Sequence, residues 1–377
     1  MAGVEAIDAA LQAGVEDGTF PGAVLAVRHQ GALVYERAVG QRSLFPPSTA
    51  ATTQTLYDLA SLTKPLATTT AIVFLAQQGR LTLESRVDEW IEALRGAALG
   101  SVTLIHLLTH SSGLPGWRPF YERLSANGVL PEGGVDHERA REAVIAYIRD
   151  ESLLYPPGTR SLYSDLGFML LGFIVERITN ASLALFCERQ LFEPIGAAPL
   201  AFFPDGINGK GRFDGGYPIA ATEHDPWRGR LLCGEVHDEN AFALGGIAGH
   251  AGLFGTARAV LAISSAWLSA YEGRQSILDA DLVRRCVTRY TPVPHSSWAL
   301  GWDTPSAPSS AGTCFSDSSF GHLGYTGTSL WIDPACRLEV ALLSNRVHPS
   351  RRNERIKQFR PHIHDVVYQT VVGTRRE

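Results

Sequence analysis

Two β-rich stretches near opposite ends of the chain do most to limit its possible folds. GAVLAVRHQGALVYERAVG predicts a hairpin around Gln30-Gly31, and TSLWIDPACRLEVALLSNR predicts a second strand pair around Asp333-Pro334. Helical patterns such as LGFMLLGFIVERITN and ARAVLAISSAWLSAYEG lie between them, and another closes the chain from about residue 351 to 372. We therefore expect an α+β fold: an antiparallel sheet built from both chain ends with flanking helices, plus a mostly helical inserted domain.

The length of the chain bears on its domain organisation. At 377 residues the chain is longer than one compact core usually needs, and 45% hydrophobic with 19% charged residues is an ordinary globular balance. This composition argues against disorder. We expect a sheet domain formed by residues 1–65 and 285–377, and a mostly helical domain formed by residues 66–284.

Charge and hydropathy narrow the range of partners. The formal net charge is −5 and no long block of like charges occurs, so neither nucleic acid nor an acidic membrane surface is expected as a partner. The longest wholly apolar run, AIVFLA, is too short to span a bilayer, and the N-terminal residues lack the pattern of a signal peptide. We expect a cytoplasmic protein, or a periplasmic one if a leader was removed, that binds small neutral or mildly charged molecules. The sequence leaves its oligomeric state open.

Cysteines and clustered acidic residues are the side chains of this chain that could form cross-links or bind a metal ion. Five widely spaced cysteines without a C-x-x-C pair argue against a disulfide framework or zinc knuckle and favour buried free thiols. The stretch GEVHDEN at 234–240 concentrates histidine and acidic residues, but consecutive residues rarely converge on one ion. A loop that lines a cleft is the better prediction.

The stretch ASLTKP contains one of only three lysines in the chain. A lysine can lose its proton inside a protein whereas an arginine cannot, so Lys64 is a possible proton-transfer partner of Ser61. Pro65 predicts that a helix begins here, which places residues three apart on one face and puts free N–H groups beside the serine. An S-x-x-K tetrapeptide alone is a weak signal and needs partners.

Further segments supply these partners. ASLTKP, LLTHSSGLP (107–115), YSDLGFMLLG (163–172), GGIAGHAGLFGTA (245–257) and GHLGYTGTSLWIDP (321–334) together resemble blocks of the serine β-lactamase-like family. That family includes class C β-lactamases, D-alanyl-D-alanine peptidases and related esterases. The resemblance runs from about residue 20 to 350. It implies an active site between sheet and helical domain, an acyl-enzyme on the serine of S-x-x-K, and no metal or organic cofactor.

The resemblance also implies roles for individual residues. Ser61 matches the nucleophile, Lys64 its proton-handling partner, and Tyr163 the tyrosine of the Y-x-N element, which passes a proton to the leaving group. Asp165 stands where the family has asparagine, and a carboxylate near Lys64 favours the ammonium. We therefore expect Tyr163, held at low pKa by Lys64, to act as the base, although Lys64 remains the alternative.

The family's K-T-G element is matched by His322-Leu323-Gly324. Gly324 is expected to leave room for substrate along the strand, and the N–H groups of Ser61 and Tyr325 to form the oxyanion hole. Histidine in place of lysine removes a permanent positive charge. We expect a preference for neutral substrates, with a gain for carboxylate-bearing ones below about pH 6, where an ordinary imidazole becomes protonated.

Two classes of function follow. The first is a serine hydrolase that cleaves a small-molecule ester, amide or lactam, with carboxylesterase preferred and β-lactamase or D-amino-acid peptidase as alternatives. The second is a catalytically silent protein that binds peptidoglycan fragments. The retained serine, lysine and tyrosine favour the first. Among other histidines, we expect His110 and His250 to bond the backbone within turns, and those of HIH (362–364) to lie on the surface.

Overall fold

The computed structural model describes residues 3–130, 136–203 and 216–373. Within these ranges the chain forms three sheets, with strand orders β2-β1-β10-β9-β8, β3-β7-β4 and β5-β6. The ten strands are β1 (Gly22–His29), β2 (Ala32–Gly40), β3 (Tyr57–Asp58), β4 (Ala201–Phe202), β5 (Ala221–Asp225), β6 (Arg230–Cys233), β7 (Leu253–Gly255), β8 (Phe320–Leu323), β9 (Ser329–Asp333) and β10 (Leu338–Ser344).

Most helices of the described residues lie between β2 and β8, as predicted. The α-helices are α1 (Glu5–Glu16), α2 (Thr70–Gln77), α3 (Leu104–Leu108), α4 (Phe120–Ala126), α5 (His137–Arg149), α6 (Asp165–Thr179), α7 (Leu183–Cys187), α8 (Glu193–Ile195), α9 (Glu239–Ala243), α10 (Ala257–Tyr271), α11 (Ala280–Val287) and α12 (Ile356–Val371). Two π-helical segments, Lys64–Thr69 and Glu188–Phe192, run directly into α2 and α8.

The five-stranded sheet joins the two ends of the chain. β1 pairs antiparallel with β10 from Ala23↔Ser344 to His29↔Leu338, and every other neighbouring pair in this sheet is also antiparallel. In the β1–β2 hairpin, Gln30 and Gly31 both have positive φ (53° and 83°), the requirement of the tight turn that matches strand twist. These features confirm the predicted α+β architecture with a sheet built from both chain ends.

Helices cover both faces of this sheet. On one face, Leu25 and Val27 of β1 pack in a cluster with residues of α1 and α12 such as Leu11 and Ile363. On the other face, the alternate residue Val24 belongs to a larger cluster that extends through α10 and the central helices. Because successive strand residues point to opposite faces, one strand contributes to both cores. The domain boundaries at residues 65 and 285 stay a prediction.

Two expectations about burial are wrong. His364 is fully buried because it lies on the face of α12 that packs on the sheet, whereas His362 is exposed. All five cysteines are free, as expected, but Cys233 is exposed at the end of the short strand β6.

One bent helix pair has the length and composition of a membrane span. Asp165–Thr179 and Leu183–Ile195 pass such a test together, but they are bent by 72° at their break, and no single helix among the described residues passes it.

Candidate active site

Ser61 lies on a sharp connection between a strand and a helix. The chain leaves β3, makes a short 3₁₀ turn over Ala60–Leu62 and enters the π-helical segment that leads into α2. Ala60 has φ +47°, an unusual conformation for a residue with a Cβ, and the Asp58 carboxylate accepts its N–H at 2.8 Å. Pro65 sits in the first turn of the helical segment, as predicted, although that turn is π-helical.

The Lys64 side chain is fully buried and its ammonium is close to three oxygen atoms. Nζ lies 2.9 Å from Oγ of Ser61, 3.1 Å from the carbonyl oxygen of His250 and 2.7 Å from Oδ1 of Asp165. An ammonium has three protons to donate, so it is suited to a site with several oxygen neighbours. The structure thus brings Ser61, Lys64 and Asp165 together.

The environment of Lys64 favours its charged form. Burial acts to lower the pKa of this lysine, but the charges of Asp165 and Tyr163 and their hydrogen bonds outweigh burial, and the pKa is raised. Asp165 opens α6, where the hydroxyl of Ser164 caps the helix by accepting the Gly167 N–H at 3.3 Å. This direction agrees with the predicted preference for the ammonium of Lys64.

Tyr163 lies against the same ammonium. Nζ of Lys64 is 4.8 Å from the centre of the tyrosine ring. Burial raises the pKa of Tyr163, and the charge of Lys64 together with hydrogen bonds to Lys64 and Ser61 offsets this only in part. The expectation of a low Tyr163 pKa is therefore wrong: desolvation of the phenolate exceeds its attraction to the ammonium.

His322 lies on β8, 6.0 Å from Tyr163 between ring centres, and is only 2% exposed. Its Nδ1 is 2.8 Å from the carbonyl oxygen of Leu323, which can only accept, so Nδ1 carries the proton. Nε2 is buried and has no hydrogen-bond partner among the described residues. Burial, reinforced by the charge of Lys64, lowers the pKa of His322 to about 3. The expected protonation below pH 6 is therefore wrong.

His110 and His250 contact residues of the site. Nδ1 of His110 accepts the Ser164 N–H at 3.0 Å, so it bonds the backbone as expected, but that of a segment distant in sequence and not of its own turn. The His110 ring lies 4.5 Å from that of Tyr163. The His250 side chain was expected to bond the backbone, but its Nε2 lies 2.9 Å from the side-chain oxygen Oδ1 of Asp238 instead. Trp298, which the sequence did not single out, packs 4.4 Å from His110.

The turn between β8 and β9 is fastened to the segment that precedes Ser61. Oγ1 of Thr326 donates to the carbonyl of Asp58 at 2.7 Å, and Oγ1 of Thr328 donates to that of Leu59 at 3.0 Å. A Cβ on Gly324 would lie 2.5 Å from the Leu59 oxygen and would also collide with Thr328. Glycine is thus needed here for the approach of two backbone segments, and the expected room for substrate along the strand stays a prediction.

Tyr325 follows this glycine. Its side chain is 50% exposed and its carbonyl accepts Nε of Arg346 at 2.8 Å. Its N–H makes no hydrogen bond among the described residues. A backbone donor is therefore available beside the turn that carries Ser61.

The acidic stretch 234–240 forms contacts within the protein. The His237 N–H donates to Asp58 at 2.7 Å, its ring lies 2.9 Å from Glu223, and Glu239 pairs with Arg351 at 2.7 Å. No group of three or more histidine, cysteine, aspartate or glutamate side chains in the described ranges is arranged to hold a metal ion. The stretch lies beside the Ser61 turn through its contact with Asp58.

Comparisons with known proteins find relatives that match most of the chain. A family model described as Beta-lactamase matches residues 7–361. The chain is 32% identical over 360 residues to N-acetylmuramyl-L-alanine amidase of Bacillus subtilis (strain 168), covering 87% of this chain and 78% of the relative. It is 31% identical over 361 residues to a protein named "Putative D-alanyl-D-alanine carboxypeptidase" from Escherichia coli (strain K12), covering 87% and 79%.

A solved structure shows the same fold. It is "EstCE1, a hydrolase with promiscuous acyltransferase activity", with a TM-score of 0.73 at 20% identity, covering 97% of this chain and 98% of the other. At this identity the likeness concerns the fold alone.

Proposed function

This chain belongs to the Beta-lactamase family and is a serine hydrolase, and we propose that it cleaves small esters or amides through an acyl-enzyme formed on Ser61. The observation that carries the proposal is the 2.9 Å contact between Nζ of Lys64 and Oγ of Ser61 on a strained turn. Because the serine oxygen accepts from the ammonium, its own proton is free to leave toward another base. A serine that served only to cap a helix would not need a buried lysine.

Proton transfer would involve Tyr163 and Lys64 as a pair. In the resting state both carry their protons, since both pKa values are raised. The reactive state lacks one proton from the pair, and the Lys64 ammonium then stabilises the Tyr163 phenolate. The phenolate takes the Ser61 proton while Oγ bonds to the substrate carbonyl carbon, and Tyr163 then protonates the leaving group as its bond to that carbon breaks. Water then attacks the acyl carbon and gives its proton to Tyr163, which returns a proton to Oγ of Ser61 as the acyl bond breaks.

The carbonyl oxygen of the substrate would be held by backbone N–H groups. Those of Ser61 and Tyr325 are the proposed donors, and the two threonine hydrogen bonds that fasten the Tyr325 turn to residues 58 and 59 support this assignment. Donors fixed in this way need little reorganisation when negative charge develops on the oxygen.

The neutral His322 supports a preference for uncharged substrates. A buried imidazole with a pKa near 3 offers no positive charge to a substrate carboxylate at neutral pH. Carboxylesterase activity on short acyl esters is therefore the function we place first. Penicillin-type lactams carry a carboxylate and should be poorer substrates.

Amide hydrolysis in peptidoglycan fragments is the second candidate. It is supported by the name of the Bacillus subtilis relative, N-acetylmuramyl-L-alanine amidase, which is 32% identical to this chain. A carboxypeptidase that removes terminal D-alanine is the related possibility from the Escherichia coli name. The contact of Ser61 with the buried Lys64, and the position of Tyr163 beside the same ammonium, disfavour a silent binding protein.

A substrate panel with one control variant tests the proposal. Short-chain p-nitrophenyl esters, N-acetylmuramyl-L-alanine, an acyl-D-alanyl-D-alanine peptide and a chromogenic cephalosporin are compared for the native protein and Ser61→Ala. Ester turnover that depends on Ser61 and exceeds cephalosporin turnover is the expected result. Faster turnover of the muramyl amide would place the second candidate first, and turnover retained by Ser61→Ala would refute the acyl-enzyme.

A further inference from the structure

Arg360 of α12 reaches the turn that contains Tyr325. The residue is 6% exposed, and one terminal nitrogen of its guanidinium donates to the carbonyl oxygens of Gly324 at 2.5 Å and of Thr328 at 2.7 Å. The same turn is closed by the Gly324 N–H, which donates to Thr328 at 2.7 Å, and by the Gly327 N–H, which donates to Gly324 at 3.1 Å.

This guanidinium has no acidic partner among the described residues. Arg228, which is similarly buried, pairs with both Asp225 and Glu235, whereas Arg360 contacts only backbone oxygen atoms. Burial lowers the pKa of Arg360 to about 9, so the side chain is still cationic at pH 7. Burying a charge without a counter-ion costs free energy. If packing were the only role of residue 360, an apolar side chain would therefore stabilise the fold better than arginine.

The geometry of the peptide bond connects this contact to the active site. The Gly324 carbonyl and the Tyr325 N–H belong to one peptide group, which is trans in this structure. In a trans peptide the C=O and N–H bonds point in opposite directions. Fixing the carbonyl on the Arg360 side therefore aims the Tyr325 N–H away from α12. A cationic donor on the carbonyl also polarises the peptide and strengthens its N–H as a donor.

We propose that Arg360 is a positioning residue for the oxyanion hole: it orients and polarises the Gly324–Tyr325 peptide so that the Tyr325 N–H meets the charge that develops on the substrate oxygen. The inference rests on the proposed function, in which that N–H is one of two oxyanion donors. It adds a residue some 300 positions from Ser61 that touches neither the substrate nor the nucleophile.

Three variants separate this role from simple support of the fold. Arg360→Met removes both hydrogen bonds to the turn, and Arg360→Lys keeps the charge and can reach one carbonyl. His364→Leu is the matched control, since His364 also links α12 to the sheet region, through Ser329 at 3.2 Å and Ser310 at 2.9 Å. Loss of a whole oxyanion donor lowers kcat about 10²- to 10³-fold. For misorientation we expect a roughly 10- to 100-fold loss in Arg360→Met, a smaller loss in Arg360→Lys, and KM changed less than about threefold.

A second measurement does not depend on turnover. In protein labelled with ¹⁵N-tyrosine, the Tyr325 amide signal, assigned with Tyr325→Phe, should move upfield in ¹⁵N in both Arg360 variants, because the donor on the preceding carbonyl is lost or weakened. It should stay in place in His364→Leu.

The outcomes separate the two claims. An unmoved Tyr325 signal, or Arg360 variants whose kcat matches that of His364→Leu, would overturn the role of Arg360 while leaving the proposed function intact. A native protein without turnover or labelling of Ser61 would instead refute the proposed function, and the amide signal would still decide whether Arg360 polarises this peptide. Arg360→Lys answers both questions if Arg360→Met does not fold.

Discussion

Nζ of Lys64 lies 2.7 Å from Oδ1 of Asp165, with the lysine fully buried and the carboxylate side chain 17% exposed. Asp165 occupies the position at which the Y-x-N element of the family has asparagine. A carboxylate at this distance stabilises the ammonium and opposes a neighbouring phenolate. It therefore raises the pKa of both groups of the proposed proton-transfer pair, Lys64 and Tyr163.

Asp165→Asn should move the acidic limb of the kcat/KM profile to lower pH. The substitution removes a negative charge that raises the pKa of both Lys64 and Tyr163, so both pKa values fall and the state that lacks one proton is reached earlier as pH rises. Ester hydrolysis from pH 5 to 10 measures the shift. Asp150→Asn, at an exposed ion pair, serves as control. A profile that coincides with that of the native protein would place Asp165 outside the proton-transfer network.

Lys64→Arg should lower kcat by about 10²- to 10⁴-fold, the usual contribution of a positioned proton-transfer group. Arginine keeps the charge but is larger and does not give up its proton, and the site offers three oxygen neighbours set for an ammonium. The control is Lys357→Arg on α12, where Lys357 forms an exposed pair with Glu354, and this variant should behave as native. Near-native rates in Lys64→Arg would mean that Lys64 acts only as a fixed charge.

The parts of the fold that depend on local signals could be predicted from the sequence. The hairpin at Gln30-Gly31, the strands around Asp333-Pro334 and the approximate extent of α6 and α10 follow from turn residues and periodicity. The two-residue strands and the π-helical start at Lys64 could not, since neither has a periodic pattern long enough to detect.

In the site, too, some features could be predicted from local sequence and others depend on the folded chain. The S-x-x-K spacing and the matched blocks bring Ser61, Lys64 and Tyr163 together, but the pKa values of Tyr163 and His322 depend on burial that only the folded chain creates. Trp298 and Arg360 carry no motif and join the site through contacts between segments distant in sequence.

The substrate preference of the native protein should not change between pH 5 and 8. His322 stays neutral throughout this range because its pKa is near 3, so the ratio of kcat/KM for a carboxylate-bearing ester to that for its neutral analogue should be flat. His322→Lys should raise this ratio if the new charge meets the substrate carboxylate. The rise should correspond to up to about 1 to 3 kcal/mol of transition-state free energy. A ratio that climbs in the native protein below pH 6 would show that the imidazole does titrate there.

Buried histidines should make the protein less stable in mild acid. The pKa of His364 is lowered to about 4 by burial, so between about pH 4 and 6.5 the unfolded chain binds a proton there that the folded protein does not. The free energy of unfolding contributed by this group is fully present above pH 6.5 and falls on acidification, by up to about 1.4 kcal/mol per pH unit.

Urea denaturation at pH 5 and 7 measures this contribution. The loss of stability on going to pH 5 should be smaller in His364→Gln than in His362→Gln, which alters the exposed histidine of the same helix. Equal losses in the two variants would argue against a buried neutral His364.

Intact-mass analysis after treatment with a fluorophosphonate tests the central claim most directly. The native protein should gain the mass of one phosphonyl group, peptide mapping should place it on Ser61, and Ser61→Ala should gain nothing while unfolding at a similar urea concentration. Full labelling of Ser61→Ala, or a native protein that is folded and stays unlabelled, would contradict the assignment of Ser61 as the nucleophile.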